Sequence, residues 1–342
     1  MKIAFVRLTS LGDIILCMAA LQVVRRSLPD CHITWFADKR FAEILDHHPG
    51  IQQVVRVDLK ELKKKKSLNA VMTEWRHLRS FGKFDAVIDL HGLLKSAVVS
   101  VIAGGPRYGF DRKMLKEPLA ALFYGRSIPI PLEMPAVARY AALAAKCLGL
   151  DVQSTELCPP EPYLFWSSED IAITDDYFER HKRNILLVPE TSASYKNYPP
   201  EKFARMANML GENILVCYGN QQEFQTASLI AEKSSNVRIL PRMNLNQLKA
   251  AVGRSDLVIG GDSGPTHIAW ACGTPSITLF GATPVCICPT ERNRVIKTDS
   301  VPNLRKPDST DFSVCDIPEA DIVQLAKELL DEYTPSNRQS GN

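Results

Sequence analysis

With 342 residues, 45% of them hydrophobic, the chain is too long for one ordinary α/β core and points to two domains of roughly 150 to 180 residues. A formal net charge of +3 leaves no broad basic surface of the kind nucleic acid needs, so any positive patch is local. No run reaches the roughly 18 apolar residues of a membrane span, and the amino-terminal apolar run is too short for a signal-peptide core.

Nine cysteines, an odd number without C-x-x-C spacing, read as thiols of a reducing cytoplasm. The close pair Cys286 and Cys288 has no second pair and no nearby His in sequence, so no metal site is expected.

Taken in chain order, "KIAFVRL" is a short buried strand and 13–27 carries apolar residues at helical spacing. "HITWFAD", "VVRVD" and "FDAVIDL" follow as strands, with helices near 41–47, 67–81 and 93–102. Further helical segments at 115–124 and 135–148 complete a first half. "CPPEP" at 158–162 breaks all periodicity and reads as linker. The alternation then restarts with "NILLVPE", a helix near 200–210, "NILVCYG" and a helix near 222–233. "VRIL", a helix near 245–252, "DLVIGGD" and "SITLFG" come next, and 317–333 is a terminal amphipathic helix.

Strands alternating with helices predict parallel sheets covered on both faces. The expected architecture is α/β, with two doubly wound, Rossmann-like halves in tandem facing a central cleft. In open α/β sheets ligands bind beyond the carboxyl ends of the strands. Asp13, just past the first strand in "RLTSLGDIIL", is therefore either a helix cap or an acid waiting for a substrate.

In "DLVIGGDSGPTHIAWACGTPSITLFG" a buried strand runs through two glycines straight into a helix. Backbone N–H groups at such a helix start suit a diphosphate, and Asp262 or Ser263 would otherwise be an ordinary N-cap. The loop "PETSASYKNYPPEKF" brings Thr191, Ser192 and Lys196 to another strand end, where hydroxyls and a cation could meet phosphate oxygens. Taken alone, that loop reads more readily as an ordinary polar segment with an exposed lysine. Neither G-x-x-x-x-G-K-[ST] nor G-x-G-x-x-G is present, so nucleoside-triphosphate and dinucleotide fingerprints are excluded. The strongest basic run, "DLKELKKKKSL", is by composition a solvated helix face.

"KIAFVRLTSLGDIILCMAAL", "FDAVIDLHGLLKSA", "EPLAALFYGR" and "GGDSGPTHIAWACGTPSITLFGAT" occur in order over roughly residues 1–300. Together they resemble the bacterial lipopolysaccharide heptosyltransferases, type I more than type II. The resemblance implies the GT-B architecture and metal-free, inverting transfer of L-glycero-D-manno-heptose from ADP-heptose to Kdo of Kdo-lipid A, with no cofactor. It implies a cytoplasmic protein, peripheral at the anionic inner-membrane surface. It divides the chain into an acceptor domain at 1–155, a linker at 156–182 and a donor domain at 183–342, whose last helix packs back toward the first domain.

By position, Asp13 matches the family's catalytic base. Thr191, Ser192 and Lys196 match its diphosphate loop, Lys196 also serving the departing diphosphate. Asp262, Ser263, Gly264 and His267 match the D-[ST]-G-x-x-H donor segment. Met243 matches an apolar residue beside adenine, though methionine is more commonly core filler. Where the family often holds the ribose with glutamate, the chain has "YGNQQEF", leaving Gln221 or Glu223. Lys60, Lys63 and Lys64, supported by Lys95 and Lys116, are the expected acceptor contacts. An enzyme using another core sugar (type II or III) and a non-catalytic sugar-nucleotide-binding relative are the alternatives; an epimerase is not favoured by these motifs.

Overall fold

The computed structural model describes residues 1–58, 68–158, 161–304 and 307–333. The chain divides into two compact units, Met1–Tyr163 and Leu164–Asn342.

In the first unit, six strands make one parallel sheet: β1 (Lys2–Val6), β2 (His32–Asp38), β3 (Gln53–Val57), β4 (Ala86–Asp89), β5 (Arg107–Phe110) and β6 (Arg126–Ile128). Their spatial order is β3-β2-β1-β4-β5-β6. Helices α1 (Leu11–Ser27), α2 (Leu68–Arg79), α3 (Leu94–Ala103) and α4 (Ala136–Leu148) cover it. Helix α1 is apolar nearly all round, and Ile14 through Leu21 are buried without a break, as a helix held between a sheet and a second helix should be. Arg25 and Arg26 occupy its last turn, where cations suit the helix dipole. On the opposite face, Ala4, Val6, Phe36, Val55 and Val87 pack with Leu78 of α2 and Val99 of α3.

The second unit repeats the plan with β7 (Asn184–Val188), β8 (Asn213–Val216), β9 (Val237–Ile239), β10 (Leu257–Gly261), β11 (Ser276–Phe280) and β12 (Asn293–Lys297). The order β12-β11-β10-β7-β8-β9 is the same winding as the first sheet, counted from its own first strand. Its helices are α5 (Pro200–Leu210), α6 (Gln221–Glu232), α7 (Leu245–Arg254), α8 (Gly264–Cys272) and α9 (Glu319–Glu332). Ile185, Leu187, Ile214, Leu257 and Ile277 of the strands meet Phe203 and Met206 of α5 in one core. Ile322, Val323, Ala326 and Leu329 of the terminal helix α9 are buried in this second core, because that sheet face is apolar and needs a third cover.

In each sheet the winding reverses between the two central strands, β1 and β4 in the first unit, β7 and β10 in the second. Such reversal opens a crevice beyond the strand ends, where open α/β sheets bind ligands. Asp13 follows β1, and residues 191–196 and 262–267 follow β7 and β10. The topology therefore puts these segments at ligand-binding positions.

Candidate active site

In the first unit, Ser10 is the N-cap of α1 and Asp13 its third residue. The Ser10 backbone N–H and hydroxyl both donate to Asp13 Oδ2, at 3.3 and 2.8 Å. Arg7, placed by the end of β1, reaches the same oxygen at 2.8 Å. The other oxygen, Oδ1, receives only a long 3.5 Å hydrogen bond from the Tyr140 hydroxyl among the described residues. Asp13 is thus cap and candidate base at once, with one oxygen anchored and one available. Its side chain is 39% exposed, whereas that of Arg7 is 8% exposed. Burial pushes the Asp13 carboxyl up, but the Arg7 charge and the Ser10 hydrogen bonds outweigh it and hold the group below the usual carboxylate range.

A cavity of about 390 Å³ opens beside this carboxylate, bounded by Arg7, Thr9, Asp13, His91, Lys116, Arg139 and Tyr140 among others. The loop after β4 forms one wall. Asp89, fully buried, accepts from the His91 and Gly92 N–H groups, from Ser96 Oγ and from the Tyr124 hydroxyl. Gly92 has φ +74°, and a Cβ there would lie 2.5 Å from Leu115 Cδ2, so only glycine fits the turn. His91 Nδ1 accepts the Leu8 N–H; burial first, then the nearby Arg7 and Lys95 charges, push the imidazole down to about 2, leaving it neutral.

Lys116 is an exposed wall residue. Lys95 donates to Thr9 Oγ1 at 2.8 Å, beside the cavity. Lys60, Lys63 and Lys64 lie outside the described residues. Sequence reasoning passed over Arg7, Arg139 and Tyr140. The signal was there: an arginine ending an apolar strand, and "RY" inside the otherwise apolar "AVARYAALAA". The Nε atoms of Arg7 and Arg139 are buried and have no hydrogen-bond partner among the described residues, and both arginines line the cavity.

In the second unit, Gly260 and Gly261 end β10 against the loop that follows β7. A Cβ on Gly261 would come within 2.8 Å of both the Lys196 carbonyl and Thr191 Cγ2, so glycine is what lets the two strand ends converge. Lys196 Nζ donates to the Asp262 carbonyl at 2.8 Å and to Asp262 Oδ2 at 3.1 Å. Thr283 Oγ1 also donates to Oδ2, and His267 Nε2 lies 3.2 Å from Oδ1. Burial would raise the Asp262 carboxyl, but the His267 hydrogen bond and the Lys196 charge prevail and hold it far below the ordinary range. Asp262 is an anchor for Lys196, and an acid so occupied is not a base in waiting.

Ser263 is the N-cap of α8, with Gly264 the first helical residue; Ser263 N–H donates to Thr266 Oγ1 at 3.2 Å. The Thr191 N–H donates to Asn197 Oδ1 at 2.9 Å, and its hydroxyl lies 2.7 Å from the same atom, shaping the loop from within. Ser192 is exposed. Gln221, first in α6, is also exposed. Glu223 turns back to accept from the Gly219 N–H and Asn220 Nδ2, both at 2.6 Å. Met243 is half-buried in the loop before α7. Sequence spacing offered no metal ligand set, yet the fold brings Cys286 to Asp262 and His267.

Comparison with known proteins agrees with the reading of the motifs. A family model described as glycosyltransferase family 9 (heptosyltransferase) matches residues 72–310. Lipopolysaccharide heptosyltransferase 1 of Campylobacter coli is 33% identical over 96% of this chain and 99% of its own length. Lipopolysaccharide heptosyltransferase 1 of Salmonella typhimurium is 29% identical over 83% of this chain and 89% of its own. The solved E. coli heptosyltransferase WaaC with ADP superposes with a TM-score of 0.78 at 23% identity, covering 96% of this chain and 100% of that one. That superposition carries the fold, two Rossmann-like units of the GT-B class. The chain belongs to glycosyltransferase family 9, the heptosyltransferases, and is most like type I.

Proposed function

We propose that this glycosyltransferase moves L-glycero-D-manno-heptose from ADP-heptose to a hydroxyl of Kdo in Kdo-lipid A, with inversion and in one displacement. The observation that carries the reading is Asp13: an ionised carboxylate at the first sheet's switch point, lining a cavity walled by cations, with Oδ1 engaged only by a long Tyr140 hydrogen bond among the described residues. Oδ1 takes the proton of the attacking hydroxyl. Arg139, Lys116, Arg7 and Lys95 suit the carboxylate of Kdo, and the family resemblance adds Lys60, Lys63 and Lys64, which lie outside the described residues, as acceptor contacts. The bond from the sugar to ADP breaks through an oxocarbenium-like state. Charge gathering on the departing diphosphate meets Lys196, placed by Asp262, and the N–H groups that open α8 at Ser263 and Gly264. Thr191, Ser192 and His267 line that donor side, Met243 lies against adenine, and Gln221 or Glu223 takes the ribose hydroxyls. Glu223 is the poorer of the two, since both its oxygens already accept hydrogen bonds.

The acceptor is an amphiphile, so the enzyme works at the cytoplasmic face of the inner membrane as a peripheral protein. Among the described residues no helix is long and apolar enough to cross a membrane. Leu94, Val98 and Val101 make an exposed apolar stripe on α3, and Leu119 and Leu122 are exposed in the adjoining segment. With Lys95, Lys113 and Lys116 close in sequence, this face suits an anionic lipid surface. The deciding assay is ADP release from ADP-heptose, with and without Kdo-lipid A. Release only with that acceptor supports the proposal. Release with a different core acceptor moves the chain to another heptosyltransferase type, and no release with any of them leaves a sugar-nucleotide binder.

A further inference from the structure

Cys286 is the feature of the second unit that the transfer reaction leaves unused. Its Sγ lies 3.4 Å from Asp262 Oδ1 and 3.6 Å from His267 Nε2, and those two atoms are 3.2 Å apart. Around a tetrahedral zinc ion, with bonds of about 2.3 Å to sulfur and about 2.0–2.1 Å to nitrogen or oxygen, ligand atoms sit about 3.5 Å apart where sulfur is involved and about 3.3 Å apart otherwise. The three atoms therefore already form one face of such a tetrahedron. We propose that Asp262, His267 and Cys286 constitute a binding site for a single zinc-class divalent cation, with the fourth position open to water or another oxygen ligand.

The surroundings fit this assignment. A thiolate, an imidazole and a carboxylate are the ligand types that zinc takes and that magnesium and calcium do not favour together. Asp262 is ionised, and it keeps Oδ1 on the cluster while Lys196 and Thr283 hold Oδ2. Those two donors fix the carboxylate's direction, as outer partners of metal ligands generally do. His267 is buried at 4% exposure, which restricts its ring. Its Nδ1 has no hydrogen-bond partner among the described residues. The imidazole thus lacks the outer acceptor usual at structural zinc sites, and the neighbouring Lys196 charge opposes a cation. Binding is accordingly weaker and reversible. On binding, the Cys286 thiol loses its proton to solvent and the sulfur lone pair goes to the metal, with no change of oxidation state.

Cobalt(II) provides the direct probe, because tetrahedral coordination by a thiolate gives intense visible bands and a near-ultraviolet sulfur-to-metal charge-transfer band. The full-length chain titrated with Co²⁺ alone should develop both at one ion per chain, and Zn²⁺ should displace them. The charge-transfer band should vanish in Cys286→Ser, and His267→Gln should weaken Co²⁺ binding at least tenfold. Other thiols, among them the buried Cys17, Cys31, Cys147 and Cys217, make the serine variant decisive: a band that survives it unchanged overturns the assignment. If that variant does not fold, alkylation of Cys286 in the unaltered chain gives the same answer. Zn²⁺ should slow modification of the peptide bearing Cys286 at least tenfold, and an unchanged rate refutes the site.

Discussion

Asp13 and Asp262 each lie just past a central strand in two sheets of the same winding, the first after β1 and the second after β10, yet the structure has made them different reagents. Both carboxyls are held below the usual range. Asp13 is 39% exposed and has one oxygen bound to Arg7 and Ser10, the other almost unused. Asp262 is 14% exposed, and both its oxygens are engaged, by Lys196 and Thr283 on one side and His267 on the other. The position on a Rossmann-like sheet brings an acid to the ligand; the partners of its two oxygens decide whether it can move a proton or only hold its neighbours.

The sharpest way to break this comparison is Asp13→Asn. Asparagine keeps the shape and can still accept from the Ser10 N–H and hydroxyl, but it cannot take a proton, so transfer should fall on the order of a hundredfold to ten-thousandfold. ADP-heptose affinity, measured by calorimetry, should stay near normal. The substitution also leaves the buried Arg7 without its carboxylate, so the melting temperature should drop measurably. Full transfer by this variant would make Asp13 a cap and nothing more.

On the other acid's side, Lys196→Ala should cost on the order of a hundredfold in turnover, because the cation faces a leaving group whose charge grows in the transition state. Donor binding should weaken with it. An unchanged rate would reduce the Lys196–Asp262 pair to a structural ion pair.

A smaller effect is expected from Arg139→Ala. Loss of one charge-assisted contact should raise the acceptor's KM about tenfold with little change in donor affinity, and equal loss of both would remove Arg139 from the acceptor wall. Lys116→Ala should act in the same direction but less, since its charge is exposed to solvent.

The pH dependence tests the partners of Asp13 directly. Its carboxyl is depressed, so the base stays ionised on acidification and is lost only as pH falls through a value below the usual carboxylate range. In Arg7→Gln the depression is relieved, and the acid limb of kcat should move to higher pH. An unmoved limb would mean that another group is the base. The smallest expected effect is none: a chelator should leave the metal-free transfer rate unchanged, and loss of activity restored by a divalent ion would contradict the mechanism.

The sequence by itself determined the elements with strong apolar patterns and the motifs at their ends. "HITWFAD" coincides with β2 and 200–210 with α5, because buried strands and amphipathic helices write their own periodicity. It missed β5, β6 and β12, short strands at or near sheet edges whose half-exposed faces require no apolar run. It also read helices near 41–47 and 115–124, where the chain makes short 3-10 turns. Asp13, Lys196 and Asp262 were legible as residues, since polar groups at strand ends stand out against apolar runs. What each does was decided by tertiary structure alone. Arg7 and Tyr140 are 133 residues apart in sequence, and Lys196 and Asp262 are 66 apart; only the folded units bring them together. A carboxylate's chemistry follows from which of its lone pairs are already taken, and that is settled by contacts between segments that no local pattern encodes.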